Sequence, residues 1–477
     1  MKKTLFNILF LTLLVGCTSS GKMNNSEQIN KQIEIGNFTV ATHIIDSIIN
    51  DDGAIINDEI NYYKFVKDSL KRVSLDFNQS IDNVKDWIEK HHGFTLTDEQ
   101  IDKWENDLSL EYKFINGEKR YFRNAAPNLF RVSAEARELS NGDSPRSDLP
   151  RDELLVDAFN NKTAVNYVGH YLLPPEQFRI RYTITVKPDV VKDGELVRAW
   201  LPFPRSDMSR QYDVALVDAS HENYVLSENK TEHNSIYMKQ VAVAGEKAVF
   251  WVEYDFVSQG EWYDLSLANV ESYNTNTEEY KKYTSEKFPH IVFTDKLKQI
   301  TDSVVGDVTN PVDILKRCYR YVASEYPWAS AIEYSTIPNI TEYAIINKKG
   351  DCGQVALLLI SMLRYKGIPA HWQSGWMLHP GSVNLHDWAE VYFEGVGWVP
   401  VDISFGRGVD ISIDPGREFF MSGIDSYRLY INSDFSGDFY PLKKYPRSET
   451  VDFQRGEVES DNNNLYFDKW SYRLEIL

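Results

Sequence analysis

The sequence is poor in cysteine, short of positive charge and without any apolar run long enough to cross a bilayer. Cys17, Cys318 and Cys352 are the three cysteines in 477 residues. Lysine and arginine number 51 against 70 aspartates and glutamates, a net charge of −19. No basic cluster offsets that surplus, which argues against nucleic-acid binding. The longest apolar stretch, Leu5 to Val15, is broken by Asn7 and Thr12 and falls short of the roughly 20 residues a spanning helix needs. No second copy of any segment recurs at a fixed period, so no solenoid is expected. His371 and His379 lack metal-ligand spacing, and no twelve-residue calcium loop is present, so no metal or cofactor is expected. What the chain does have is a globular composition, 42% hydrophobic and 13% aromatic, over a length that implies two to four domains.

The first residues, MKKTLFNILFLTLLVGC, read as an export signal: Lys2 and Lys3, then the short apolar run. Leu14-Val15-Gly16-Cys17 resembles the bacterial lipobox, in which cleavage precedes a cysteine that then carries lipid. Cys17 is thus the expected lipid attachment, with a polar tether after it and a cell-envelope location, facing the periplasm or the cell surface. Only Cys318 and Cys352 then remain in an oxidising compartment. Either they form one bridge, or at least one is kept free.

From Ser26 to about Trp104 apolar residues recur at three and four, as in Ile60, Tyr63, Val66, Leu70 and Val73, and predict helices. Asn116-Gly117 between alternating apolar residues predicts a hairpin. A polar stretch over residues 138–153 predicts a boundary or exposed loop. The period then changes to two: Phe178, Ile180, Tyr182, Ile184 and Val186 share one face of a half-buried strand. Residues from about 175 to 260 read as a small β-sandwich. Asn310-Pro311 opens a further helix, with Cys318 among Leu315, Tyr319 and Val322 as a buried structural thiol would be.

Cys352 is set differently. Val355, Ala356, Leu358, Leu359, Met362 and Leu363 define a helix ending at Gly367-Ile368-Pro369, so Cys352 lies in its first turn. There the unpaired N–H groups and the helix dipole favour thiolate, while Gly350 and Gly353 leave room for a substrate carbonyl. Downstream, HDWAEVYFEGVGWVPVD predicts two strands that open with His386 and close with Asp402. A cysteine nucleophile needs a base, and the base needs an orienting carboxylate or amide. Cys352, His386 and Asp402 occur in that order. If Phe393 pairs with Gly397, an odd loop, Asp402 lies opposite Trp388 on the face of His386, a diagonal neighbour at roughly 7–8 Å between backbones. An even loop sends Asp402 to the other face. Trp372, Trp376, Trp388 and Trp398 read as core, and His371 and His379 as structural or surface residues.

GDCGQVALLLISMLRYKGIPAHWQSGW followed by HDWAEVYFEGVGWVPVD resembles the core of the transglutaminase-like superfamily, relatives of papain-type cysteine enzymes, over roughly residues 290–405. The lead-in helix NPVDILKRCYRYVASEYPW is similar as well. The resemblance implies Cys352 as nucleophile, His386 as base and Asp402 as its orienter, on an α+β fold whose central helix starts at the nucleophile. It also implies an oxyanion stabiliser: the Cys352 backbone N–H, with Trp328 and Tyr334 as aromatic candidates, while Gln354 is expected to point elsewhere. The expected organisation is a signal over 1–17, a mainly helical region over 18–165, a β-sandwich over 170–262, the transglutaminase-like domain over 270–410 and a C-terminal extension over 411–477 packing on it. The expected chemistry is cysteine-dependent hydrolysis or transfer at an amide bond of a peptide, a protein or a cell-wall peptide, by a monomer held to the membrane through its lipid. The rival is a binding or scaffold protein that keeps the fold and does no chemistry.

Overall fold

The computed structural model describes residues 25–50, 57–140, 149–165, 169–407 and 411–477. The signal segment and Cys17 lie outside the described residues, as does part of the polar stretch near residue 145. The chain divides into two compact units, Met1–Arg146 with Ala329–Pro338, and Ser147–Trp328 with Asn339–Leu477.

The first unit is mainly helical. The helices Ile81–His92 and Asp98–Asn106 each open on a capping box, Ser80 with Asn83 and Thr97 with Gln100, so the side chains satisfy N–H groups the helix itself leaves unpaired. Within Asn57–Asp76, Tyr63, Val66 and Leu70 are buried as their spacing predicts. The Asn116-Gly117 hairpin forms with Ile115 opposite Glu118. Both turn residues have positive φ, 52° and 84°, as a tight two-residue turn requires.

The second unit holds the β-rich block and the cysteine helix together. Its main elements are β1 (His170–Val186), β2 (Leu196–Pro202), β3 (Gln211–Ala219), β4 (Ser235–Val241), β5 (Ala248–Tyr263), α1 (Pro311–Glu325) and α2 (Cys352–Tyr365). These are followed by β6 (Ala370–Met377), β7 (Asn384–Phe393), β8 (Gly397–Val401), β9 (Arg428–Asn432), β10 (Glu457–Ser460) and β11 (Trp470–Ile476). The alternating face of β1 is buried at Phe178, Ile180, Tyr182, Ile184 and Val186, and β1 pairs along its length with β5.

The last sixty residues do more than pack on the catalytic part. β11 pairs with β1, with Trp470 opposite Val186. β10 pairs with β2, with Glu457 opposite Trp200. β9 pairs with β6. These pairings cover strand edges whose N–H and C=O groups would otherwise stand open. One apolar core accordingly runs from Ile184, Trp200 and Phe250 to Trp376, Leu429 and Phe453. The division between units thus falls near residue 147, and the β block shares its interior with β6 and β9 of the sheet that follows the cysteine helix.

α2 is buried from Gly353 through Arg364, so it is apolar all round, as a central helix must be. It packs on an antiparallel sheet ordered β8-β7-β6-β9, in which every residue of β6 is buried.

Candidate active site

Cys352 is the first residue of α2. Asp351 caps the helix: its carboxylate accepts from Gln354 N at 3.1 Å, and Gln354 Oε1 accepts from Asp351 N at 3.3 Å. Gln354 is therefore spent on the cap, as its position suggested. The room foreseen at Gly350 is occupied, because a Cβ there would come within 3.0 Å of Gln354 Cβ and 3.2 Å of Val355 Cγ1. Gly350 serves close packing rather than substrate access. Cys352 keeps partial exposure, and its thiol donates to Asp387 Oδ2 at 3.2 Å. Burial and then the Asp387 and Asp351 carboxylates push this thiol well above its ordinary pKa. The helix terminus is thus outweighed, and the resting form is a thiol rather than the thiolate the helix dipole favours. The half-buried Arg407, its pKa lowered to about 10 by desolvation, donates to Gly350 O at 3.0 Å and is a cation within electrostatic reach of the sulfur.

The β7–β8 hairpin has the odd register. Phe393 faces Gly397 and Ala389 faces Val401, which sets Asp402 beside Trp388 and on the face of His386. Gly395, with φ 82°, permits the three-residue loop. His386 Nε2 and Asp402 Oδ2 are 2.7 Å apart. Asp402 also forms an ion pair with Arg428, Nη1 lying 2.9 Å from Oδ2, and accepts from Phe405 N at 3.1 Å. Arg428 is held in turn by Asp425 at 2.6 Å, and Asp425 lies 3.1 Å from His379 Nε2. Burial would raise Asp402, but His386 and Arg428 prevail and hold its pKa at about 2. Burial lowers the His386 pKa, with Asp402 opposing, so a neutral imidazole stands ready to take a proton. With Nε2 committed to Asp402, Nδ1 carries no hydrogen bond among the described residues.

His386 and Asp402 are thus brought together, whereas the hydrogen bond of Cys352 goes to Asp387 and not to His386. The thiol meets the carboxyl of Asp387, the residue after His386. That carboxyl is itself engaged: Gln454 Nε2 donates to its Oδ1 at 2.8 Å and to His386 O at 2.8 Å. The buried Asp452 lies within electrostatic reach and raises the Asp387 pKa further. Arg428, Asp452 and Gln454 escaped the sequence reading because no local pattern marks them. Asp387 was in plain view beside His386.

The remaining candidates are placed as follows. The backbone of Trp328 bridges that of Gly350, two residues before Cys352. Tyr334 is buried on a single helical turn, Tyr334–Thr336, within the segment that belongs to the first unit. Cys318 and Cys352 are both free, which closes the question of a bridge between them. Burial pushes the Cys318 thiol up to about 12. His371 is buried against Glu390 Oε2 at 3.0 Å, and Trp372, Trp376 and Trp388 are core residues. Among the described residues no group of three or more His, Cys, Asp or Glu is arranged to hold a metal ion, and no helix is long and apolar enough to cross a membrane.

Residues 298–403 match the model of the transglutaminase-like superfamily, a span that contains Cys352, His386 and Asp402. The chain is 27% identical over 144 residues to the uncharacterised protein YebA of Bacillus subtilis, covering 24% of this chain and 19% of that protein. It therefore spans about a fifth of the length of this curated relative. Among solved structures, a candidate cysteine protease from Cytophaga hutchinsonii is 14% identical, with 65% of this chain and 93% of that one covered and a TM-score of 0.42. The periplasmic domain of TgpA from Pseudomonas aeruginosa is 12% identical, with 46% and 93% covered and a TM-score of 0.26. Over residues 298–403, from the helix before α2 through the strands that follow it, the chain is similar to the transglutaminase-like superfamily.

Proposed function

We propose that this chain catalyses acyl transfer or hydrolysis at amide bonds through Cys352, with His386 as base and Asp402 orienting it. The observation that carries this reading is the 2.7 Å His386–Asp402 hydrogen bond, which leaves Nδ1 uncommitted on the strand beside the helix that Cys352 begins. In the first step the S–H proton passes to Nδ1 and the sulfur attacks the amide carbonyl. Asp402 stabilises the imidazolium so formed, and the Cys352 N–H, at the helix terminus, is the backbone donor for the oxyanion. Collapse of the tetrahedral intermediate breaks the C–N bond, the leaving amine takes the proton from Nδ1, and a thioester remains. Water or a second amine, deprotonated by His386, resolves it. The substrate class is a peptide, a protein or a cell-wall peptide, and the Leu14–Cys17 segment supports lipid anchoring at Cys17 in the cell envelope.

The rival reading, a silent scaffold, draws on one observation: the thiol is hydrogen-bonded to Asp387. A glutamine-containing peptide offered with and without a fluorescent primary amine separates the two. Cys352-dependent amine incorporation or peptide cleavage, with a thioester mass adduct on Cys352, is expected, and both are lost in Cys352→Ala and His386→Ala. Absence of any adduct, together with Cys352 alkylation that is indifferent to His386→Ala, overturns the enzymatic reading. Mass analysis of the mature N-terminal peptide tests Cys17: an unmodified thiol there overturns the anchor.

A further inference from the structure

We propose that Asp387 is a latch on the nucleophile: its carboxyl holds the Cys352 thiol in a resting hydrogen bond that competes with His386, and Gln454 of the C-terminal segment holds the latch in place. The inference rests on the reading of Cys352 and His386 as a reacting pair and adds to it a second, competing partner for the sulfur.

Three observations carry it. The thiol has one hydrogen bond, to Asp387 Oδ2 at 3.2 Å, although an imidazole with an uncommitted nitrogen stands on the preceding residue. Asp387 is fixed from its other side by Gln454, whose amide also grips the carbonyl of His386, so a single side chain sets the strand where the two rival partners sit. Asp387 and Asp452 are then both buried carboxyls within electrostatic reach of each other, an arrangement that favours one of them keeping its proton. Asp452 is the better seat for the charge. It accepts from Ser374 Oγ at 2.6 Å, Phe453 N at 2.7 Å and Asn432 Nδ2 at 3.2 Å, with Arg447 close by, whereas Asp387 accepts from Gln454 and the thiol. The charged and titratable groups around the sulfur are Asp387, Asp351 and Arg407, and those around Asp387 are Cys352, Asp452 and Asp351.

An acceptor that bonds the neutral S–H favours thiol over thiolate. Reaction therefore requires the sulfur to leave Asp387. As it turns, the S–H bond breaks, a new N–H bond forms at His386 Nδ1, and the protonation of the two carboxyls is unchanged. Removing Asp387 frees the sulfur. Removing the Gln454 amide, which holds Asp387 from its other side, loosens the latch.

Iodoacetamide alkylation of Cys352, followed by peptide mass spectrometry in the full chain across pH, tests this, with Cys318 labelling as the check on unfolding. Asp387→Ala is expected to speed alkylation at pH 7 by about tenfold, the equivalent of one pKa unit, and to move the midpoint of the profile down. Gln454→Ala is expected to speed it by a smaller factor, with the midpoint moving in the same direction. An unchanged or slower Asp387→Ala, or a slower Gln454→Ala, overturns the latch. If Asp387→Ala exposes Cys318, the direction of the Gln454→Ala shift decides alone. His386→Ala separates the two readings. Should it leave the wild-type rate unchanged, the Cys352–His386 pair fails. Should it slow alkylation while Asp387→Ala does not speed it, only the latch fails.

Discussion

Asp402 follows β8 and Asp387 lies on β7 next to His386, and both carboxyls are almost wholly buried, yet they occupy opposite electrostatic environments. Asp402 faces a guanidinium, an imidazole and a backbone N–H. Asp387 faces a thiol, an amide and a second carboxyl. Burial penalises charge equally in both places, so the partners decide. Arg428 and His386 hold Asp402 ionised down to about pH 2, while burial, Asp452 and Asp351 push Asp387 well above the usual carboxylate range. Divergent carboxyls at one site are a common way of assigning one to hold charge and the other to hold a proton. Here the first orients a base and the second meets the sulfur.

The most forceful way to break the contrast is Arg428→Met. Arg428 is 2% exposed and pairs with both Asp402 and Asp425, so its removal strands two buried carboxylates. We expect a loss of about 3–5 kcal/mol in denaturant unfolding at pH 7, and a loss under 1 kcal/mol would show that the Asp402 region does not depend on this cation.

Acid titration of the unmodified chain comes next. A carboxyl whose folded pKa lies below its unfolded value near 3.9 contributes stability that is complete above that value and disappears as pH falls through the folded one. Asp402 should therefore contribute about 2 kcal/mol above pH 4, fading towards pH 2, and Asp402→Asn should remove that part of the acid transition. Asp387 has the reverse sign, since its folded pKa is raised. Its buried form costs nothing extra below pH 3.9 and costs progressively more as pH rises through the folded value. Asp387→Asn should thus gain stability relative to the parent at pH 8 and none at pH 3. Equal gains at both pH values would mean that packing, not ionisation, separates the two aspartates.

The half of this contrast that involves Asp402 was legible in the sequence, and the half that involves Asp387 was not. Strand period and the EGVG loop suffice to pose the register question, since a one-residue slip reverses every side chain of β8, and the observed pairing of Phe393 with Gly397 answers it. The helix from Cys352 and the burial of Phe178 through Val186 followed equally from local periodicity. Asp452 and Gln454 sit between β9 and β10 in irregular backbone, some hundred residues beyond Cys352, and reach the site only because β10 and β11 fasten the tail to β2 and β1. Contacts of that separation leave no local pattern. The helix dipole also misjudged the thiol, because the dipole is a local property whereas burial and the opposing carboxyl arrive through the tertiary fold.

The mildest prediction uses the second free thiol as the control for the first. Cys318 lies in α1 with its thiol raised to about 12 by burial alone, apart from a small opposing effect of Lys366, and it is fully buried among apolar neighbours. A small hydrophobe in such a place contributes packing and no chemistry. Cys318→Ala should cost about 1 kcal/mol in unfolding and leave the alkylation profile of Cys352 where it was. A shifted Cys352 profile in that variant would mean that α1 transmits packing changes to the start of α2. Reactivity at Cys352 would then reflect how tightly the helices are held as well as which side chain the sulfur touches.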